Sequence, residues 1–441
     1  MKKNVELVNE SNIIMDLSII NQINNILNDY LYKIEELQYS IKIEDIIGAA
    51  YVYAEIYEYV VNKDQWNNII RRQFIRLKEC IEQGELMNDM ALFGGLCEAG
   101  LAVYLYSKKT GHYINFWKEI HEIILDDTVK LVEEYHQKIN DLQIRHYDCI
   151  TGLSGILNYL IHTDAERDDN KAIIEDVLGY LLKITERKLV NGKIVPGWHI
   201  RRENQIREDE KVRFKNGNFD FGISHGIAGP LAVLSMAYQK GYCIEGQKEA
   251  ILSILEEYER LSSHFKDSTL WQGQYSFENY LQSQQDPIMN YNRMSWCYGS
   301  IGILRAIKLA GFALDSQELI EWEQKNVFKI AGMLSKDYLL DSPIICHGYA
   351  GLMALLTIEY KEHANYILKE KINELANIIV KKYNSNFMFG FEHTEIYYHN
   401  GKYLKNEMYG NEFLYGASGI ILSLISLIKL DTYWEIHLLA K

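Results

Sequence analysis

Six short blocks, each setting small residues just ahead of an apolar run, recur along this 441-residue chain. They read LCEAGLAVYL from residue 96, TGLSGILNYL from 151, HGIAGPLAVL from 225, YGSIGILRAI from 298, HGYAGLMALL from 347 and YGASGIILSL from 415. Aligned on Gly100, Gly155, Gly229, Gly302, Gly351 and Gly419, the copies lie 55, 74, 73, 49 and 68 residues apart. That is room for two helices and their loops each time, the signature of a repeat architecture. In the 96 copy Cys97 stands where a first glycine is expected, so that copy reads as degenerate. A weaker segment, DIIGAAYVYAEIYEYV from 45, has one glycine and leaves the count at six or seven pairs.

The runs after the glycines are apolar nearly all round, which places them inside. The stretches between, such as 245–265 and 362–383, carry apolar residues at three- and four-residue spacing with charges between, which places them outside. The economical solution is an all-α fold, an α/α toroid of inner helices wrapped by outer ones, as a single domain over 1–441. Four prolines and 48% hydrophobic residues suit it, because proline is costly inside helices. The glycines let inner helix ends approach closely. In the 96 and 415 copies packing is their whole expected role. Residues 186–222 break the rhythm with NG, PG and GN turn signals and are expected to form an inserted loop or small β element. The run IRRENQIREDEKVRFK within it is expected to be solvated charge.

A formal charge of −14 and a pI near 5.5 exclude a general nucleic-acid binder, which needs a basic footprint. The N-terminus lacks the apolar core of a signal peptide, and GIILSLISLI near the C-terminus is shorter than the roughly 18 residues that span a bilayer. Six cysteines in such a chain do not make a disulfide framework, so a reducing cytoplasm is expected. Cys80, Cys149 and Cys243 are expected to be packing residues. His112, His121, His136, His363 and His437 are expected at the surface, and His199 in VPGWHIRR is left unassigned.

Because the blocks are equivalent, residues just ahead of the glycine pairs belong to one end of the ring. Those residues are Asp148, His225, Cys297, Tyr298, Cys346 and His347, with Arg293 four residues before Cys297. Two cysteines and a histidine with an open fourth position form a Cys₂His set, the pattern of a catalytic rather than a structural zinc. Neighbours in a regular helix point about 100° apart, so Cys346 and His347 can share one ion only where the backbone is irregular, which Gly348 permits. The competing reading is that both cysteines are small buried hydrophobes. Their equivalent positions and the attached histidine favour zinc.

The blocks SHGIAG, WCYGSIG and CHGYAG, with YDCITGLSG before them and PGWH between, resemble the lanthionine synthetase C family, the cyclases of lantibiotic biosynthesis. The resemblance runs from about residue 90 to the C-terminus. It implies seven inner and seven outer helices, one zinc on Cys297, Cys346 and His347, and catalytic roles for Asp148, His225, Arg293 and Tyr298. It further implies a free-standing cyclase that closes thioether rings in a dehydrated precursor of leader and core, without a redox cofactor. Arg293 would stabilise the enolate or orient Asp148, and His225, supported by Asp148 or Tyr298, would protonate carbon. The cognate dehydratase and a membrane transporter are the companions such a cyclase would have, holding it at the membrane periphery. Three other functions compete: a glycosidase, which needs two carboxylates across the sugar; a non-catalytic peptide-binding scaffold; and a toroid that adds a small thiol such as glutathione to dehydrated peptides.

Overall fold

The computed structural model of the chain describes residues 4–8, 10, 13, 16–37, 42–86, 89–163, 170–265, 267–285, 293–399 and 402–441. Its helices in chain order are α1 (Leu17–Leu37), α2 (Ile43–Ile56), α3 (Lys63–Glu82), α4 (Leu96–Thr110), α5 (Ile114–Gln137), α6 (Leu153–Thr163), α7 (Lys171–Thr185), α8 (Glu208–Arg213), α9 (Ala228–Gln239), α10 (Gln247–Arg260), α11 (Phe277–Gln282), α12 (Ser300–Ala313), α13 (Gln317–Ala331), α14 (Tyr349–Glu362), α15 (Tyr366–Lys381) and α16 (Ala417–Ile428). Seven of them, α2, α4, α6, α9, α12, α14 and α16, pack each against the next, and α16 packs back on α2 to close a ring. Helices α1, α3, α5, α7, α10, α13 and α15 wrap it, each against one inner helix, and α7 and α13 also reach a second, α9 and α14. Among the described residues the fold is an α/α toroid of seven inner and seven outer helices, and the weak segment at 45 supplies the remaining inner helix, α2.

Burial follows the sequence pattern. Helix α16 buries every residue from Ala417 to Ile428, whereas α10 buries only Gln247, Ala250, Ile251, Ile254, Glu257 and Tyr258. Outer helices α13 and α15 take side-chain caps from Ser316 and Asn365, but α12, α14 and α16 have none. Their first amides are satisfied another way, because the preceding loop folds back over the helix end. Tyr349 N–H donates to Ser342 O at 2.9 Å and Ala417 N–H to Gly410 O at 3.1 Å.

The fold-back explains the glycines. A Cβ on Gly351 would stand 2.0 Å from Ile345 O, and one on Gly302 2.2 Å from Trp296 O. The first glycine of each pair meets the backbone four residues back, as Gly299 meets Ser295 N at 2.3 Å. Gly95 meets Ala91 N in the same way at 2.6 Å. The expected alignment of the 96 copy is therefore corrected by two residues: Gly95 is its first glycine, Glu98 fills the place of the second, and Cys97 is a buried helix residue.

Backbone hydrogen bonds join these loops edge to edge around the mouth of the ring. Leu92 N–H donates to Ile150 O at 3.0 Å, Cys149 N–H to Ser224 O at 3.1 Å and Ile223 N–H to Cys297 O at 2.8 Å. Cys297 N–H then donates to Cys346 O at 3.2 Å, and Cys346 N–H to Leu414 O at 3.1 Å. Helix α2 joins the last loop through buried Asp45, whose carboxylate accepts Asn411 N–H at 2.6 Å.

Four two-stranded antiparallel sheets decorate the described toroid: β1 (Arg187–Val190) with β2 (Lys193–Pro196), β3 (Asn218–Asp220) with β6 (Gln274–Ser276), β4 (Ser263–Phe265) with β5 (Ser268–Leu270), and β7 (His393–His399) with β8 (Lys402–Met408). The element expected at 186–222 is the β1–β2 hairpin, α8 and β3. The hairpin β7–β8 was not expected, although Asn400-Gly401 between its strands is a strong hairpin signal.

Residues 434–440 occupy the centre of the ring. Asn158 on α6 donates to Ile436 O at 2.8 Å, Trp296 Nε1 to Leu438 O at 3.1 Å, and Arg305 on α12 to Ala440 O at 2.7 Å. His437, expected at the surface, is instead fully buried between Phe93 and Phe413, with ring centroids 4.4 Å and 4.2 Å away. His121 is also buried, because it lies on the inward stripe of α5 with Trp117, Ile120 and Ile124. Cys243, expected to pack, is exposed.

Replacing Gly351 by Ala drives a methyl into the Ile345 carbonyl and should cost about 1–3 kcal/mol, the range for overpacking. Gly179 on α7 has nothing within 4 Å of a built Cβ, so Gly179→Ala should gain about 0.5–1 kcal/mol. Urea unfolding midpoints of the two variants should move in opposite directions.

Candidate metal centre and active site

A cavity of about 630 Å³ opens at the mouth of the ring. It is lined by the residues one and two places ahead of the first glycine in loop after loop, among them Phe93, His225, Cys297, Tyr298, Cys346, His347 and Tyr415. The hydrogen-bonded belt of loops is what brings these distant positions together. Arg293 also lines the cavity, and Asp148, fully buried, stands behind His225.

Cys297, Cys346 and His347 each present one ligand atom, and the three atoms lie within 4.8 Å of one another. The Cys297 N–H to Cys346 O bond holds the two loops in register. Cys346 and His347 occupy the turn ahead of α14, where Gly348 is extended at φ −122° and ψ −173°, so both side chains reach one point. Both cysteines are buried and neither is in a disulfide. The Cys346 thiol, helped by His347, holds Cys297 well below the ordinary thiol range despite burial, while the Cys297 sulfur and burial push Cys346 up. Burial opposes charge on His347, but Cys297 and Glu395 outweigh it and raise its pKa to about 9. Two sulfurs and an imidazole converging on a cavity fit a cation that prefers S and N donors, such as zinc. Hydroxyls face the sulfurs, with Ser295 Oγ 3.5 Å from Cys297 Sγ and Tyr415 Oη 3.7 Å from Cys346 Sγ.

Across the cavity, His225 Nδ1 and Asp148 Oδ2 are 2.5 Å apart. Asp148 is aimed by its other oxygen, which accepts Thr151 N–H at 2.9 Å and Thr151 Oγ1–H at 3.2 Å. Burial disfavours the imidazolium, yet the hydrogen bond and charge of Asp148, with Asp220 beyond, raise the His225 pKa above the ordinary imidazole value. Tyr298 fits between Gly222 and Gly273, where an added Cβ would lie 2.8 Å and 2.6 Å from its ring. Burial first, then the charge of Asp220, pushes the Tyr298 phenol well up. Arg293 donates to His347 O at 3.1 Å and lies 3.8 Å from Asp341. Asp148 and Arg293 thus have separate hydrogen-bond partners.

Several residues in or beside the cavity escaped the sequence reading. Asp220, fully buried beside the lining, precedes the SHGIAG block by four residues, and burial raises its pKa to about 7. Glu395 arrives on β7, and Tyr415 belongs to a block expected only to pack. The charge run expected to be solvated is mostly exposed, and it also contributes Arg207, Asp209, Glu210 and Arg213 to the cavity rim, because α8 packs against β7. His199 lies away from the cavity lining, its Nε2 3.0 Å from Asn216 O, and burial lowers its pKa to about 4.

Known proteins resemble this chain in sequence and fold. The nisin biosynthesis protein NisC of Lactococcus lactis subsp. lactis is 28% identical over 284 residues, 62% of this chain and 65% of that protein, so the match spans a little under two thirds of its length. The solved structure of a nisin cyclase superposes with a TM-score of 0.77 at 22% identity, covering 95% of this chain and 98% of that one, which shows a common fold. The model of lanthionine synthetase C-like proteins matches residues 44–439, beginning at α2 rather than near residue 90, and the chain belongs to that family.

Proposed function

We propose that this chain is a zinc-dependent peptide cyclase. It closes lanthionine and methyllanthionine rings by adding a cysteine thiolate of a dehydrated precursor to a dehydroalanine or dehydrobutyrine of the same peptide. One observation carries the reading: the Cys297–Cys346–His347 set and the His225–Asp148 pair open on a single cavity. The similarity to NisC, whose name ties it to nisin biosynthesis, supports the substrate class.

Zinc held by Cys297, Cys346 and His347 would supply deprotonation of a substrate thiol near neutral pH, where a free thiol is only a few per cent ionised. The remaining work falls to the chain. As sulfur bonds to the β-carbon of the dehydroamino acid, the π pair moves to the α-carbon and its carbonyl, giving an enolate. His225, kept charged by Asp148, donates a proton to the α-carbon and is recharged by the proton the thiol released. The Arg293 guanidinium, beside the His347 carbonyl, is placed to offset the enolate charge, and Tyr298 walls the His225 side. Ser295 and Tyr415 direct donors at the protein sulfurs, which holds those sulfurs as ligands and leaves the incoming one to attack.

The activity is assigned to one toroid domain over 1–441, with 186–222 inserted in it. No helix among the described residues is long and apolar enough to cross a membrane. The proposed setting is the cytoplasm, peripheral to the membrane through a dehydratase and a transporter.

Purified protein should hold about one zinc per chain, and Cys297→Ala or Cys346→Ala should lose it while the helical CD signal persists, since a core of this size does not fold around a metal. Full zinc in Cys346→Ala would overturn the metal assignment. His225→Asn should keep zinc and lose about 10²–10⁴ in rate. In Asp148→Asn burial acts on His225 with less opposition, its pKa falls, and the alkaline limb of the rate profile should move to lower pH. An unmoved limb would remove Asp148 from the proton relay. With dehydrated peptide, alkylation of free thiols and fragmentation by mass spectrometry should reveal rings for native protein. Equal ring closure by Cys297→Ala would sink the mechanism.

A further inference from the structure

Hairpin β7–β8 lies outside the helical repeat, yet it delivers two side chains to the metal-binding set. Glu395 Oε2 stands 3.4 Å from His347 Nε2, and the same oxygen lies 2.8 Å from His393 Nε2. His393 Nδ1 is in turn 2.9 Å from Ser342 Oγ, and Ser342 and His393 are buried. Ser342 belongs to the loop that carries Cys346 and His347, with its carbonyl accepting Tyr349 N–H at 2.9 Å. The chain of contacts therefore starts and ends in one loop: Ser342, His393, Glu395, His347.

Protons along this chain have one consistent arrangement. A carboxylate only accepts, so the nitrogens facing Glu395 are both N–H: Nε2 of His393 and Nε2 of His347. His393 Nδ1 then accepts from the Ser342 hydroxyl, and the proton that His347 gives up to bind a cation is the one on Nδ1, because Nε2–H is held by Glu395. We infer that Glu395, held by His393 and Ser342, is a positioning residue that locks His347 as the Nε2–H tautomer and turns Nδ1 toward the metal. The inference rests on the zinc reading above, and it concerns residues that neither the repeat nor the donor set requires. A carboxylate behind a ligating histidine raises the basicity of the ligand and fixes its plane. The rings are also boxed, His347 against His393 at 5.0 Å and against Tyr415 at 5.8 Å between centroids.

The same three groups, His347, His393 and Glu395, lie close enough to hold an ion themselves, and the experiment separates the two roles. Zinc affinity of the full chain is measured by competition with a chromophoric chelator, alongside metal stoichiometry and CD, for native protein, Glu395→Ala, Glu395→Gln and His393→Ala. Glu395→Ala should bind zinc about ten- to hundredfold more weakly at unchanged stoichiometry, and His393→Ala should fall in the same direction. Glu395→Gln should recover part of the loss, because its amide oxygen still accepts the N–H without the charge. Nitrogen-15 spectra of histidine-labelled, metal-free protein, recorded above the His347 pKa of about 9 where its ring is neutral, should report a single Nε2–H tautomer for His347 that becomes mixed in Glu395→Ala. Should the alanine variant not fold, Glu395→Gln with the tautomer measurement carries the test. Native affinity in Glu395→Ala, or a second zinc lost with Glu395, would overturn the inference and leave the Cys₂His reading standing. Absence of zinc from the native protein would overturn both.

Discussion

The belt of backbone hydrogen bonds around the mouth is the constraint on which the rest of the molecule depends. Each loop donates an amide to the carbonyl of the next, from Leu92 through Cys346 to Leu414. A single such bond is worth only about 1 kcal/mol net, but a buried amide left unpaired costs more, so the loops hold one register or none. That register requires each loop to fold back over its own helix, and the fold-back requires glycine where a methyl would meet a carbonyl. Packing, helix initiation and the position of the site thus share one cause. Cys297 and Cys346 are neighbours because their backbones are bonded, before any metal is considered.

Two different electrostatic environments share the cavity. On one side the sulfurs of Cys297 and Cys346 and the His347 ring lie against donors from Ser295 and Tyr415. On the other, a carboxylate behind His225 favours its charged form, as Glu395 does for His347. The paired histidines differ in what they face: His225 has Asp148 and Asp220, while His347 has a sulfur. The imidazole–carboxylate pair and the sulfur set both open on a cavity of about 630 Å³, with Tyr298 clamped between Gly222 and Gly273.

Much of this was legible from six glycine blocks. Their spacing implied two helices per unit, their all-round apolar runs implied an inner ring, and their equivalence implied a common rim for His225, Cys297, Cys346 and His347. What escaped lies outside the repeat or depends on three-dimensional closure. Asp220 and Glu395 sit on strands with no counterpart in other units. His437 reads as a polar residue in the sequence and is buried because aromatic faces from Phe93 and Phe413 meet it. The true first glycine of the 96 copy was hidden by a chance glycine at position 100, and only the fold-back geometry of Gly95 separates them. Charge at 206–213 reads as solvated because local composition carries no sign that β7 will pack beside it.

Residues 434–440 give the toroid a further property. By bonding to α6, to α12 and to Trp296 they stop the hole through the ring, with His437, Phe93 and Phe413 forming a floor beneath the cavity. The molecule is a cup rather than a tube. Under the proposed function, a peptide bound there could not be threaded from one face to the other; it would be dipped in as a bend and withdrawn through the same opening. The order in which bends are offered would then be set by how a flexible strand folds over a lip, and a loop already closed would have to fit back past that lip to leave.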